Sequence, residues 1–183
     1  MLLGSGDHRR SEKVRLTGDA FVTAYPQGWT LAVKRKPALG ARYQLSSTGA
    51  QVSGLGIPPA GTIGVTIDET PASTLSRYHL AGAKPDAVAL SQNATQLLPN
   101  VVGTPRAAES VVRVEAPRRT RLDGADAAEE AYTYTYASLP NVQVDVLSHH
   151  GDKIVLVELD TEPGLGAAGQ AALAAITGDW RWG

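Results

Sequence analysis

The sequence predicts a single α+β domain, an antiparallel β-sheet flanked by helices. Residues 111–160 contain four runs of alternating apolar and polar residues separated by Gly- and Pro-containing turns, the pattern of antiparallel strands. Directly after them, apolar residues from Leu165 to Ile176 recur at helical spacing. The chain has 183 residues, a length that supports one hydrophobic core.

The composition excludes several classes of protein. Hydrophobic residues make up 43% and charged residues 19%, which are ordinary globular values and fit neither a disordered chain nor a membrane-embedded body. A net charge of −1 gives no global reason to expect a nucleic-acid partner. There is no cysteine, which excludes disulfides, thiolate metal sites and a cysteine nucleophile.

The first 15 residues are predicted to be a flexible tail, followed by one domain over residues 16–183. The segment 1–13 has neither the apolar core of a signal peptide nor the length of a membrane span. Leu2 and Leu3 before a polar stretch also fit the remnant of a membrane anchor upstream of a truncated start. Two settings therefore stay open, an anchored extracytoplasmic protein and a cytoplasmic one.

The first half of the domain is predicted to contain four strands and a short helix. The turn Pro26-Gln27-Gly28 predicts that the first two strands form a hairpin. Thr70 as N-cap and Pro71 at the first helical position predict a helix over 71–80. Residues 83–110 match no clear pattern. The four predicted strands cover residues 21–25, 29–33, 41–46 and 62–67.

The second half is predicted to be a four-stranded meander. Its strands cover residues 111–115, 131–136, 142–148 and 154–160. A two-residue turn at Gly151-Asp152 sets the register of the last hairpin. The expected cross-strand pairs are His149 with Ile154, Val146 with Val157, and Asp145 with Glu158.

This register predicts one apolar and one acidic face. The C-terminal helix is expected to cover the apolar face, with Trp180 and Trp182 clamping an edge. The opposite face is expected to carry Asp145 and Glu158, with Gln143, Asp160, Thr133 and Thr135 as neighbours. The predicted apolar face consists of Tyr132, Tyr134, Tyr136, Val142, Val144, Val146, Val155, Val157 and Leu159.

In the order and shape of these pieces the chain resembles the PsbP/Mog1-like family, which includes bacterial lipoproteins and extracytoplasmic domains. The resemblance rests on the opening segment 21–29, the strand 131–136, the hairpin 142–159 and the closing segment 177–182. It implies an α/β/α sandwich around an antiparallel sheet, with scaffolding, sensing or partner-binding roles. It implies no shared active site and hence no catalytic residues.

The opposed carboxylates are the first candidate site. Like charges directly opposite each other destabilise a sheet, so a bound cation, a nearby arginine, a shared proton or solvent exposure must relieve them. We expect exposure with an arginine nearby. The candidate ligand or cation surface consists of Asp145, Glu158, Asp160 and His149. An enzyme using this carboxylate pair would need a concave polar pocket on the same face.

Two further clusters are candidates of lower weight. His149, His150 and Asp152 lie at a hairpin tip, but adjacent strand residues point to opposite faces, so exposed turn histidines are expected rather than a metal site. Four arginines around Pro117 could bind an anionic partner surface, or form a solvated loop. They are Arg113, Arg118, Arg119 and Arg121.

The sequence does not support a dinucleotide-binding motif or a serine-hydrolase motif. The segment 164–169 reads Gly-Leu-Gly-Ala-Ala-Gly, the spacing of a dinucleotide-binding turn, but too little chain follows it for the required parallel strand and acidic residue. Its small residues are expected to pack a helix on the sheet. The nucleophile elbow of serine hydrolases is absent. No catalytic, cofactor-binding or metal-binding residue is predicted.

The sequence therefore predicts a non-catalytic accessory, sensing or partner-binding module that binds a protein or a small ligand. The leading setting is the soluble part of an anchored extracytoplasmic protein. The alternatives are a cytoplasmic adaptor of Mog1 type that binds a GTPase-like partner, and a metal-dependent enzyme that uses the sheet-face carboxylate pair.

Overall fold

The computed structural model describes residues 13–36, 40–50, 57–73, 87–88 and 110–183, with the side chains of 110–114 excepted. This part of the chain forms strands and one long helix, α1, preceded by a 3₁₀ turn at Pro163–Leu165. None of its helices is long and apolar enough to cross a membrane. The elements are β1 Lys13–Thr17, β2 Phe21–Pro26, β3 Thr30–Lys36, β4 Gly40–Ser46, β5 Gly64–Pro71, β6 Ser110–Leu122, β7 Ala125–Tyr136, β8 Leu139–His150, β9 Lys153–Thr161, α1 Gly166–Gly178 and β10 Arg181–Trp182.

The strands form two antiparallel sheets. The small sheet has the order β1-β2-β10, and the large sheet has the order β3-β4-β5-β9-β8-β7-β6. Every paired strand is antiparallel to its neighbour. The predicted α+β class and antiparallel sheet are confirmed.

The predicted hairpin of β2 and β3 is wrong, because these strands belong to different sheets. β2 has both edges occupied, one by β1 and the other by β10. Lys13 to Arg15, which are predicted to belong to the tail, form part of β1. The turn after Pro26 therefore carries the chain from one sheet to the other.

Two elements differ from their predicted bounds. Thr70 and Pro71 are the last residues of β5 rather than the start of a helix, and residues 74–80 of the predicted helix lie outside the described residues. β6 continues to Leu122, seven residues beyond its predicted end, through two irregularities in its pairing with β7. The Asp123-Gly124 dipeptide that closes this hairpin is a strong turn signal.

The predicted register of the last hairpin is confirmed. His149 pairs with Ile154, Val146 with Val157, and Asp145 with Glu158. The turn at Gly151-Asp152 joins the two strands as expected.

The predicted facing of β7 is wrong by one residue. A two-residue turn at Ala137-Ser138 pairs Tyr136 with Leu139, which places Tyr132 opposite Gln143 and Tyr134 opposite Asn141. The tyrosines therefore share the face of the carboxylates, and Thr133 and Thr135 lie on the other face. Neither turn residue is Gly, Asn or Asp, so the usual sequence signal for this turn is missing.

The valine side of the large sheet is the main core, and α1 packs on it as predicted. Leu173 and Ile176 of α1 are buried in this core. The other core residues of this face, the helix-side face, include Tyr43, Leu45, Val65, Ile67, Val144, Val146, Val155, Val157 and Leu159.

The two C-terminal tryptophans lie in different environments. Trp180 is fully buried and stacks on Phe21, with ring centroids 4.2 Å apart and an interplanar angle of 16°. It therefore packs inside the core rather than at an edge. Trp182 donates its Nε1–H to the carbonyl oxygen of Leu122 at 2.8 Å, and its ring stacks on His150. Trp182 thus ties the small sheet to one end of the large sheet.

Candidate functional site

The face of the large sheet opposite α1 carries a cluster of carboxylic acids on β8 and β9. Asp145, Glu158 and Asp160 are 2%, 4% and 4% exposed, and Gln143 and Tyr134 are buried beside them. We call these five residues the acidic cluster. They come together because alternate residues of a strand share a face and β9 pairs in register with β8.

Hydrogen bonds connect the acidic cluster. Tyr134 donates its hydroxyl proton to Asp160 Oδ1 at 2.6 Å. Gln143 Nε2 donates to Asp145 Oδ1 at 2.9 Å and to Glu158 Oε2 at 3.2 Å. Glu158 and Asp160 are both on this face of β9, two residues apart. Gln143 therefore bridges the opposed carboxylates Asp145 and Glu158, and Asp160 has its own donor in Tyr134.

Burial raises the pKa values of all three acids. The pKa of Asp145 rises to about 8, because burial outweighs the hydrogen bond from Gln143. The pKa of Asp160 rises to about 6, since burial is opposed by the hydrogen bonds from Tyr134 and Glu158. The pKa of Glu158 is raised well above its ordinary value, first by burial and then by the charges of Asp160 and Asp145. In all three acids, burial therefore favours the protonated form.

The expectation that solvent exposure relieves the opposed carboxylates is wrong, because both are buried and Gln143 donates a hydrogen bond to each of them. Arg42, the nearby arginine on this face, forms a bidentate pair with Asp68 instead, at 2.7 and 2.8 Å. Within the described ranges, no group of three or more His, Asp or Glu residues is arranged to hold a metal ion. The three acids of the cluster thus have little contact with solvent.

His149 is on the same face as the acidic cluster but not in it. The pair Leu147–Leu156 lies between it and the pair Asp145–Glu158, so His149 is four residues away along β8. His150 points to the other side, where its ring stacks on Trp182 with centroids 4.5 Å apart. The two histidines therefore do not converge on one point.

The arginines proposed for an anionic partner lie on strand β6 and not in a loop. Arg118 donates to Glu129 Oε1 at 2.5 Å, and Arg119 donates to Asp126 Oδ1 at 3.0 Å. Arg121 donates to the carbonyl oxygen of Gly124 at 2.9 Å. The side chain of Arg113 lies outside the described part. Three of the four arginines therefore already bind groups of the same chain.

The Gly-rich segment packs as expected of small residues. A Cβ added at Gly169 would lie 3.1 Å from Leu159 Cδ1 and 3.3 Å from Thr161 Cγ2. Gly169 therefore lets α1 approach β9 closely.

A cleft of about 580 Å³ opens at the end of the large sheet where β7 and β8 are joined. We call it the sheet-end cleft. It lies in the size range of ligand pockets. Its lining is mostly apolar, and Leu139 on its wall is 52% exposed. The lining residues are Ile57, Pro58, Pro59, Ala60, Tyr136, Ala137, Leu139, Pro140, Asn141, Glu162, Pro163 and Gly164.

Short-range contacts hold the walls of the cleft. Pro58 packs against Gly64 of β5, where an added Cβ would lie 3.2 Å from its ring. Glu162 Oε2 accepts the Gly61 N–H at 3.2 Å, which fixes the loop before β5 to the loop after β9. Asn141 Nδ2 donates to the carbonyl oxygen of Leu139 at 3.0 Å. Glu162 supplies the one carboxylate among the lining residues.

Sequence reasoning did not find this cleft. Its walls come from three separate segments of the chain, which contain Pro58-Pro59, Pro140 at the start of β8, and Pro163. Proline indicates a turn or the end of an element, and no local pattern indicates that these three segments meet. The pairing of β5 with β9 and of β9 with β8 brings them to one end of the sheet.

Solved structures resemble this fold. The solution structure of PsbP (CyanoP) from Synechocystis is 8% identical, with a TM-score of 0.54 over 100% of this chain and 99% of that one. The crystal structure of the Ran-binding protein Mog1p from Saccharomyces cerevisiae is 11% identical, with a TM-score of 0.55 over 93% of this chain and 94% of that one. A protein from Bacteroides thetaiotaomicron is 9% identical, with a TM-score of 0.52 over 94% of this chain and 48% of that one.

No protein-family model and no curated protein sequence matches the chain. At identities this low, structural likeness speaks to the fold alone. Two of these likenesses extend over nearly the whole of both chains. The chain has the PsbP/Mog1-like fold.

Proposed function

We propose that this chain is a non-catalytic binding module whose sheet-end cleft receives an apolar side chain of a protein partner. The observation that carries the proposal is Leu139, a large apolar residue on the wall of the cleft with 52% of its surface exposed. Burying it under a partner would remove apolar surface from water, which is the main driving force of association.

The construction of the cleft favours a protein ligand. Prolines supply much of its wall, and a proline backbone loses little freedom when a ligand binds, so the cleft is preorganised. Glu162 gives it one negative charge next to apolar surface. An apolar anchor beside a lysine or arginine fits both features.

The fold comparison supports a partner-binding role at a coarse level. The yeast structure is that of a Ran-binding protein, and the present chain shares its fold over 93% of its length. A GTPase-like partner remains the second candidate for the same cleft. The acidic cluster, the basis of the metal-dependent enzyme, is too deeply buried to favour that alternative.

A peptide selection tests the proposal. Random 12-residue peptides displayed on phage are selected on the immobilised protein, and the affinities of enriched peptides are measured by fluorescence anisotropy. We expect enrichment of an apolar residue next to lysine or arginine. Leu139→Asp should weaken binding at least tenfold, and Glu162→Gln should weaken peptides with the basic residue.

The matched control is Val14→Asp, a similar change at an exposed apolar residue of β1, which should leave the affinity unchanged. Peptides that bind Leu139→Asp as tightly as the native protein would overturn the proposal.

For the setting of the module, we propose an anchored extracytoplasmic protein, as expected from the sequence. Fractionation of the native cells followed by intact mass tests this. We expect a species heavier than 19.2 kDa in the membrane fraction. A 19.2 kDa species in the cytoplasm would favour the adaptor.

A further inference from the structure

β3 forms one edge of the large sheet and is exposed along its whole length. Among the described strands it has a neighbour on one side only, β4. All seven residues from Thr30 to Lys36 are exposed. An edge strand of this kind presents a row of backbone donors and acceptors to which an extended peptide can add.

The two sides of β3 differ in chemistry. Leu31 and Val33 are 37% and 46% exposed, and they lie on the helix-side face because they pair with Leu45 and Tyr43. Lys34 and Lys36 point to the opposite face. We call Leu31 and Val33 the apolar stripe, and Lys34 and Lys36 the cationic stripe. The two stripes lie on opposite faces of β3, and the cationic one begins at the residue after Val33.

The cationic stripe is not neutralised within the described part of the chain. Lys34 pairs directly with Arg42 of β4, and the charge of Arg42 is taken up by Asp68 on the next strand. Neither Lys34 nor Lys36 makes an ion pair with a described residue. An acidic side chain on a strand added outside β3 would lie directly opposite Lys34, where cross-strand pairs interact most strongly.

We propose that β3 binds an extended acidic segment of a protein partner, which adds to the large sheet as an eighth strand. The positions opposite Leu31 and Val33 are apolar, and those opposite Lys34 and Lys36 are acidic. Since every pair in this sheet is antiparallel, the segment reads acidic-x-acidic-apolar-x-apolar from its N-terminus.

Exposed edge lysines also protect natural sheets against unwanted pairing. Protection against unwanted pairing requires only positive charge on the edge strand. Specific binding, in contrast, makes the affinity depend on the order of acidic and apolar residues in the peptide. That difference makes the proposal testable with synthetic peptides.

The probe is the capped peptide Thr-Glu-Thr-Glu-Val-Thr-Val-Thr, with a scrambled peptide of equal composition as its control. Binding to the full chain is measured by amide chemical shifts and titration calorimetry. We expect the ordered peptide to bind at least tenfold more tightly than the scrambled one. Its affinity should fall as salt is raised, because the pairing with Lys34 and Lys36 is solvent-exposed.

Two variants sharpen the test. Lys34→Glu with Lys36→Glu should weaken binding of the acidic peptide at least tenfold and create binding of the peptide in which lysine replaces each glutamate. Lys153→Glu, the same charge reversal at the first residue of β9, is the control and should leave the affinity within about twofold, the size expected of a remote charge change.

Backbone pairing is tested by N-methylation of the peptide. In an extended peptide alternate N–H groups face the edge, so methylating one alternate set should abolish binding and methylating the other should not. The proposal would be overturned if the ordered and scrambled peptides bound equally well. It would also be overturned if methylation of neither set of N–H groups changed the affinity. A third contrary result would be a dimer, detected by sedimentation, that the substitution Val33→Glu dissociates. In that case a second copy of the chain would occupy β3. Leu139→Asp is not expected to affect this peptide, which separates the result from that of the cleft.

Discussion

Tyr134 of β7 donates a 2.6 Å hydrogen bond to Asp160 of β9, across the intervening strand β8. The bond spans two strands because both side chains are on the acidic face and the tyrosine is long enough to pass over β8. Both residues are buried, at 3% and 4% exposure. The Tyr134 hydroxyl thus satisfies one oxygen of a carboxylate that has little access to water.

Tyr134→Phe should destabilise the fold by about 1.5 to 3 kcal/mol, the range for a hydrogen bond to a charged group. The change leaves the ring in place and removes only the donor. Urea unfolding measures the difference. Tyr136→Phe, on the same face two residues further along β7, is the control and should cost less than about 0.5 kcal/mol. Equal effects of the two variants would argue that the hydrogen bond contributes nothing.

The acidic cluster should make the protein less stable as pH rises. In the folded state the pKa values of Asp160 and Asp145 are about 6 and about 8, above the ordinary value near 4 for an unfolded chain. Between those values the folded state binds more protons than the unfolded state, so the free energy of unfolding falls with increasing pH. Each proton contributes a slope of about 1.4 kcal/mol per pH unit.

Urea unfolding between pH 5 and pH 9 checks this slope. Asp145→Asn should flatten it, because the amide keeps the acceptor for Gln143 and cannot ionise. Asp152→Asn, in the exposed β8–β9 turn, should leave the slope as it is. The assignment would be wrong if Asp145→Asn retained the native pH dependence.

The turn between β7 and β8 should be improvable. Ala137 and Ser138 have φ of 49° and 63°, a left-handed conformation that costs an ordinary residue about 1 to 2 kcal/mol. Replacing the pair by Asn-Gly, which favours this turn, should stabilise the protein by about 1 to 2 kcal/mol. Thermal unfolding gives the result. Ala137→Val, which adds a β-branched side chain at a positive φ, should change stability in the opposite direction.

Gly40 at the start of β4 should not tolerate a side chain. Its φ is 105°, and an added Cβ would lie 1.8 Å from the carbonyl oxygen of Glu69 on the neighbouring strand. Gly40→Ala should therefore destabilise the fold by at least about 2 kcal/mol, from strain and from displacement of β5.

Gly28→Ala is the matched control for Gly40. Gly28 also has a positive φ, 86°, but its added Cβ would meet nothing within 4 Å. Gly28→Ala should therefore cost only the free energy of holding alanine in a left-handed backbone conformation, about 1 kcal/mol. Both variants are compared by chemical denaturation, and equal losses would show that the clash with Glu69 is relieved.

Local signals in the sequence were sufficient for the C-terminal half of the fold. The alternation in β8 and β9 and the turn at Gly151-Asp152 predicted the pairing of Asp145 with Glu158, because a two-residue turn leaves only one register. Helical spacing likewise predicted that Leu173 and Ile176 face the sheet. The same reasoning misplaced Tyr134, because the turn at Ala137-Ser138 lacks the residues that normally mark it.

The α+β class, most strands, the closing helix and the last hairpin were predictable from local patterns, because hydrophobic periodicity and turn chemistry are local properties. Tertiary structure decided which sheet β2 joins, since both of its edges are filled by distant segments, β1 and β10. It also decided that the acidic cluster is buried and that three proline-containing segments form the sheet-end cleft. Those features depend on contacts between residues far apart in the chain, which no local pattern encodes.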